Sequence, residues 1–365
     1  MKVCTRVCIV LASANNGGLE KHVRELSEQL IVMGNHVAVI APMAFLNTLD
    51  TRVEGHALAF ENSRYNPILL WQLLLKIKAT NCDIVHAQAN KATAMVGLLK
   101  PFLKCPIIAT LHNIKSNVRP FFRFNAIICV SKQLAQSFKN KNVRVIYNGI
   151  HSPTYNSINL KTQFDLPHHL PVICAVGRLV EAKGFDVLLK AVNGLPLSLL
   201  IVGDGPLHTS LQQQITQLSP NTFCKLLGYR DDINDLMHAA DTVVIASRRE
   251  GFSYVFNEAA LCGTKILSTD VPVANEILPA ELIVPIDDVN ALATKLAFLL
   301  AHPSEWQNLM LPVQAFAQQH LQVTVMAEKT FALYTELLNT QTINSARSAT
   351  FKSTNFKHAR TYSDY

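Results

Sequence analysis

No apolar run in this 365-residue chain reaches the roughly 18 residues that a helix needs to span a bilayer. A membrane-crossing segment is therefore not expected. The eight cysteines are scattered, with no Cys-x-x-Cys and no Cys/His cluster at zinc spacing. That argues against a structural metal and for reduced core thiols in a cytoplasmic protein. There is no Asp-x-Asp pair, so the carboxylates that commonly present a divalent cation to a diphosphate are missing, and no metal ligands are assigned. The first apolar run is not followed by Gly-x-Gly-x-x-Gly, which disfavours a dinucleotide oxidoreductase. No recognised nucleic-acid motif occurs either, so nucleic acid is not an expected partner.

What the chain does contain is apolar residues, at 49% against 16% charged. That balance fills sizeable cores, and the length suggests two α/β domains of about 150 residues each. The start, Met1 to Ala14, imitates a short signal peptide ending in Ala-x-Ala. A buried first strand explains it better, because Gly17-Gly18 and a good helix follow at once. Charge is unevenly divided: residues 1–150 carry 18 Lys/Arg and 7 Asp/Glu, whereas 151–340 carry 11 and 18. A basic first half points to an anionic partner on that side, such as an acidic glycolipid or membrane surface, or simply to a solvated basic face.

In the first half, Val7–Ala12 reads as a strand, Leu19–Met33 as a helix and His36–Ala41 as the next strand. The Gly17-Gly18 loop then lies at the carboxyl end of strand one, where open α/β sheets bind ligands. Glu20 and Lys21 read as first-turn helix surface. Cys82–Ala87 is a strand carrying His86, which either reaches a ligand site or is a satisfied core histidine. Pro106–Asn113 is a strand delivering His112 at its carboxyl end. Asn117–Asn125 interleaves two arginines with three phenylalanines, which suits either a membrane interface or a loop folded on the core. Residues 151–170, with prolines and little periodicity, read as a linker.

In the second half, Pro171–Leu179 is a strand ending near Arg178, with Lys183 at the start of the next helix. Leu199–Pro206 ends in a turn containing Gly203 and Gly205. The central stretch runs from the β-branched strand Thr242–Ala246, through Arg248, Arg249, Glu250, Gly251 and Phe252, into a helix from Tyr254 capped by Ser253 and closed at Gly263. A strand, a glycine turn and a helix N-terminus aim backbone N–H groups at one point, which suits a phosphate. Glu250 and Glu258 flank that point and can accept hydrogen bonds from hydroxyls.

Glu250-Gly-Phe-x-x-x-x-x-Glu258-Ala resembles the E-x7-E signature of retaining GT-B glycosyltransferases of the GT4 type. Further stretches match in order: Gly17-Gly18-Leu-Glu, Asp83-Ile-Val-His86, Thr110-Leu-His112, Asn148-Gly149, Gly177-Arg178-Leu with Lys183-Gly184, and Gly203-Asp-Gly205-Pro. The resemblance covers residues 1–339. It implies two Rossmann-like, doubly wound domains facing a central cleft: an acceptor-side domain over 1–150 and a donor-binding domain over 171–322. A helix over 323–339 would cross back to the first domain, followed by a disordered basic tail over 340–365.

By the same resemblance, Glu250 holds donor-sugar hydroxyls, Glu258 the ribose, and His112 lies close to the transferred sugar, making His112 and Glu250 the catalytic candidates. Arg178 and Lys183 neutralise the diphosphate. Gly17, Gly18, Gly203, Gly251, Phe252, Ser253 and Tyr254 line the donor, with Tyr229 and Arg230 near the base. Val271–Ile277 stands where the family has Gly-Gly-x-x-Glu, but both glycines are replaced and only Glu276 remains. The activity implied is metal-independent transfer, with retention and without a cofactor, from a nucleotide-diphosphate sugar to a hydroxyl. A glycan or lipid-linked acceptor, such as a lipopolysaccharide core precursor at the inner face of the membrane, fits the basic first half. A nucleotide-sugar 2-epimerase of the same fold and a non-catalytic nucleotide-sugar-binding protein are the rival readings.

Overall fold

The computed structural model describes residues 4–13, 17–113, 117–139 and 142–358, the side chains of 344–358 excepted. The chain forms two units. One comprises the chain up to Cys129, Ser137–Ile146 and everything from Ala327; the other comprises Val130–Gln136 and Tyr147–Met326.

The first unit is built on seven strands: β1 (Arg6–Leu11), β2 (His36–Ala41), β3 (Glu54–Ala57), β4 (Ile84–Gln88), β5 (Ile107–Leu111), β6 (Ala126–Cys129) and β7 (Val143–Val145). Their order is β3-β2-β1-β4-β5-β6-β7, and every pairing is parallel. β4 and β5 are buried along their whole length, because helices on both faces of a parallel sheet leave no strand residue for water. The chain reverses its direction of growth between β1 and β4, and ligands bind in open sheets at the carboxyl ends beside such a point.

The second unit repeats the plan with six parallel strands: β8 (Val172–Val176), β9 (Leu197–Val202), β10 (Thr222–Leu226), β11 (Thr242–Ile245), β12 (Ile266–Thr269) and β13 (Ile283–Val284). The order β10-β9-β8-β11-β12-β13 puts its reversal between β8 and β11. Trp306, fully buried, donates from Nε1 to the Ile266 carbonyl and fixes the Pro303–His320 helix to β12.

Several expectations change. Of the two readings of the Arg/Phe stretch, the loop folded on the core fits Phe121, fully buried, and Phe124, 7% exposed, within and just after a short 3-10 turn, Arg119–Arg123, while Phe122 is 38% exposed. The last helix runs Val323–His358, well past residue 339, and residues 359–365 lie outside the described region. The edge strands β3 and β10 were not read from the sequence. Among the described residues no helix is long and apolar enough to cross a membrane.

Candidate functional site

In the second unit, the loops after β8 and β11 flank the reversal point. Arg178 follows β8 with its side chain exposed. Lys183 sits at the end of a single 3-10 turn, Glu181–Lys183, and Gly184 then opens the Phe185–Val192 helix at φ 65°. A Cβ on Gly184 would overlap the Ala246 carbonyl, so the turn and the end of β11 touch backbone to backbone. That contact delivers Lys183 to Glu250. Their Nζ and Oε1 lie 2.5 Å apart, with the side chains 22% and 9% exposed. Ser247 Oγ donates to the same carboxylate oxygen at 2.8 Å. The sequence candidates for phosphate cation and sugar carboxylate are thus charge-paired to each other.

Arg248, which sequence reading left without a role, holds this arrangement. Its guanidinium donates to both Asp186 oxygens at 2.7 and 2.8 Å, to Asp287 at 2.5 Å and to the Glu181 carbonyl at 2.7 Å. Arg248 N–H also donates to the Ala182 carbonyl. Hydrogen bonding to Asp186 lifts the Arg248 pKa further above its ordinary value and pulls that of Asp186 down. The 181–186 and 247–250 segments are therefore tied to each other. A charge pattern of Asp186 against Arg248 across 62 residues carries no local signal.

Ser253 caps the Tyr254–Leu261 helix, accepting from the Phe256 N–H. Gly251 and Phe252 are buried in the loop before it, and Phe252 meets Tyr254 edge-on at 5.3 Å between ring centroids. Glu258 is half-buried one turn into the helix. Gly203, at φ 135°, has no room for a Cβ because the Gly177 carbonyl of the neighbouring strand end occupies that space. Its small size is thus demanded by the chain itself. Tyr229 is 74% exposed, and Arg230 is engaged with Asp232 through two bonds of 2.8 and 2.5 Å.

Glu276 is committed elsewhere. Its two oxygens accept from Lys132 N–H, Gln133 N–H and the Tyr147 hydroxyl at 2.9, 3.0 and 2.8 Å. Three residues earlier Val273 stands at φ 73° and ψ −53° and is fully buried. For a β-branched residue this is a genuine outlier, costing about 1–3 kcal/mol. The glycine is replaced, but the backbone keeps a conformation that favours glycine.

In the first unit, Gly17 caps the Gly18–Val32 helix and is exposed beside Gly18. Glu20 is 2% exposed rather than on the helix surface. It accepts from Gly17 N–H at 3.1 Å and from the Ser13 hydroxyl, which ties both residues to the first turn of the helix. At the ends of β4 and β5 lies a buried polar chain. His112 Nε2 is 2.7 Å from Gln88 Oε1. Gln88 Nε2 is 3.3 Å from His86 Nε2, which also meets Thr110 Oγ1 at 2.6 Å, and His86 Nδ1 reaches the Tyr334 hydroxyl at 2.6 Å. With the Gln88 amide so assigned, His112 carries its proton on Nε2 and His86 on Nδ1.

Burial, followed by the neighbouring His22, pushes the His86 pKa down to about 3 and that of His112 well below the ordinary histidine value. The His22 ring stands edge-on to His112 at 4.7 Å. Both His86 and His112 are neutral near pH 7. His86 is thus a satisfied core histidine that supports the chain leading to His112. Gln88 and Tyr334, two further members beside Thr110, were missed; residues 86 and 88 share one face of β4, a spacing visible in sequence.

A family model described as Glycosyltransferase Family 4 matches residues 16–152, and one described as Glycosyl transferases group 1 matches 170–302. The lipopolysaccharide core biosynthesis glycosyltransferase LpsE of Rhizobium meliloti is 27% identical over 60% of this chain and 66% of its own length. An uncharacterized glycosyltransferase of Methanocaldococcus jannaschii is 30% identical over 55% of this chain and 60% of its own. The matched stretch thus spans less than two thirds of these curated relatives. A Rickettsia africae glycosyltransferase superposes with a TM-score of 0.80 at 19% identity, over 92% of this chain and 99% of that one. Anabaena HepE, solved with UDP and glucose, superposes at 0.77 and 23%, over 91% and 100%. Two parallel α/β units with this strand order, both family matches and these neighbours agree: the chain belongs to the GT4-type glycosyltransferases of GT-B fold.

Proposed function

We propose that this chain transfers a sugar from a nucleotide-diphosphate sugar to an acceptor hydroxyl, with retention at the anomeric carbon and without a metal ion. The reading is carried by the Lys183–Glu250 pair at the carboxyl end of β11, where the Lys183 stem lies against Gly177, the residue before the exposed Arg178. Lys183 already bridges to a carboxylate suited to sugar hydroxyls, so one cation serves both the sugar and the diphosphate. In the reaction the acceptor oxygen bonds to the anomeric carbon while the bond from that carbon to the β-phosphate oxygen breaks. The acceptor proton passes to the leaving diphosphate. Arg178, Lys183 and the helix end capped by Ser253 stabilise the charge that builds there. Glu258 takes the ribose hydroxyls. His112, being neutral, acts as a hydrogen-bond partner for a substrate hydroxyl rather than as a fixed charge.

HepE, crystallised with UDP-glucose, makes a uridine diphosphate sugar the first donor to test. LpsE makes a lipopolysaccharide core precursor, presented at the cytoplasmic face of the membrane, the first acceptor. Sugar nucleotides are to be screened by thermal denaturation, where a ligand at one hundred times its Kd adds about 2.7 kcal/mol. One donor should stabilise the native chain. That shift should be lost in Lys183→Ala and in the double variant Lys183→Ala/Glu250→Ala, the latter removing the pair without stranding a charge. Stabilisation by no sugar nucleotide, or turnover of donor alone to an epimerised sugar, overturns the proposal.

A further inference from the structure

The Pro67–Ala79 helix of the first unit is apolar on two opposite faces. Leu69, Leu73, Leu74 and Ile77 are buried under it, at 4% exposure or less. On the outer face Ile68, Trp71 and Leu75 are 68%, 61% and 49% exposed. At 100° per residue these three fall within about 60° of one another, so they form one stripe along the helix. Tyr65, 67% exposed, precedes the helix by two residues. Isolated exposed apolar residues are ordinary; a continuous row of large ones on a single helix marks an interaction surface.

Chemistry selects the partner. Lys78 lies beside Trp71 on one flank of the stripe and Lys76 on the other, at the helix end where cations are also favoured. Arg64 stands before the helix, and no Asp or Glu occurs between Glu61 and Asp83. Trp and Tyr with lysines at the margin of an apolar row match the boundary of a bilayer, where rings sit at headgroup depth and cations meet anionic lipid. A protein partner of ordinary surface would require no such absence of acid.

We propose that the first unit docks on an anionic lipid bilayer through the outer face of this helix, with Ile68, Trp71 and Leu75 entering the interface and Lys76, Lys78 and Arg64 at the headgroups. This surface replaces the Arg119–Arg123 segment, whose Phe121 is fully buried. The docking does not depend on which sugar donor the second unit takes, so it stands or falls separately from the proposed reaction.

The chain has two tryptophans, and the other, Trp306, is fully buried. Trp306→Phe therefore makes Trp71 the sole reporter. Full-length protein is mixed with vesicles of phosphatidylcholine alone or of phosphatidylcholine with phosphatidylglycerol. The expected result is flotation with the anionic vesicles and a blue shift of Trp71 emission, both weakened by salt. Trp71→Glu/Leu75→Glu should lower vesicle affinity at least tenfold, and Lys76→Glu/Lys78→Glu should abolish the preference for anionic lipid. Arg119→Ala/Phe122→Ala should bind as the parent does. An unchanged Trp71 spectrum, equal binding by the Trp71/Leu75 variant, or loss of binding only in the Arg119/Phe122 variant overturns the proposal. So does a lipid-free dimer in sedimentation equilibrium that Trp71→Glu dissociates, since the stripe would then be covered by a second copy.

Discussion

His86 is a fully buried histidine with both ring nitrogens in hydrogen bonds, and this makes it a source of acid sensitivity. Its folded pKa of about 3 lies below the ordinary value near 6.5, so the unfolded chain takes up the proton first. The stabilisation is therefore complete above pH ~6.5 and is lost as pH falls toward ~3, at about 1.4 kcal/mol per pH unit within that window. Urea unfolding at pH 7 and pH 5 measures it: wild type should lose about 2 kcal/mol more than His86→Gln over that interval. Equal losses in the two proteins would falsify the assignment of a neutral, buried ring. His112 follows the same sign, its pKa being depressed by burial first.

At the scale of elements, the second unit depends on places where backbones pack with no side chain between them. Gly203, at φ 135°, leaves space that the Gly177 carbonyl fills, so the loops after β8 and β9 are held at contact. Gly203→Ala should cost about 1–3 kcal/mol from backbone strain alone, more with the overlap, read as a fall in thermal midpoint. The same loops explain how much of the site was legible. Gly177, Arg178, Lys183 and Glu250 lie in short local patterns at strand ends, where sequence order and position in the sheet coincide. Arg248 escaped because its partner Asp186 is on another element, and Tyr334 because its partner His86 is 248 residues away. Likewise, buried strands such as β4 were readable as unbroken apolar runs. The edge strand β10, with Phe223 exposed and Lys225 in its interior, carries no such run. The end of the last helix was missed for a related reason. Its Ser/Thr/Asn-rich sequence has no apolar period, and helix need not announce itself by one.

The molecule as a whole departs from the simple division of its sequence into halves. Residues from Ala327 belong to the first unit, where Thr330, Leu333 and Tyr334 are buried. There Glu336 pairs with Arg144 at 3.0 Å and the Gln341 side chain donates to the Lys104 carbonyl. A fragment ending at residue 150 therefore lacks the hydroxyl that satisfies His86 and the buried Thr330, Leu333 and Tyr334 that belong to its unit. It should expose apolar surface, seen as strong binding of a hydrophobic dye, and regain native emission when a peptide spanning residues 323–343 is added. In the full chain, Tyr334→Phe should reproduce the polar part of the defect alone, at about 1–3 kcal/mol.

That closing helix sets an order of events during synthesis. The seven-stranded sheet is made before the six-stranded one, yet the side chain that completes its polar interior is made only after the whole of the other unit. Domains usually mature from the N-terminus onward; here the unit begun first is finished last. During that interval His86 waits without its tyrosine, and translation must pass residue 334 before the histidine row behind His112 can settle.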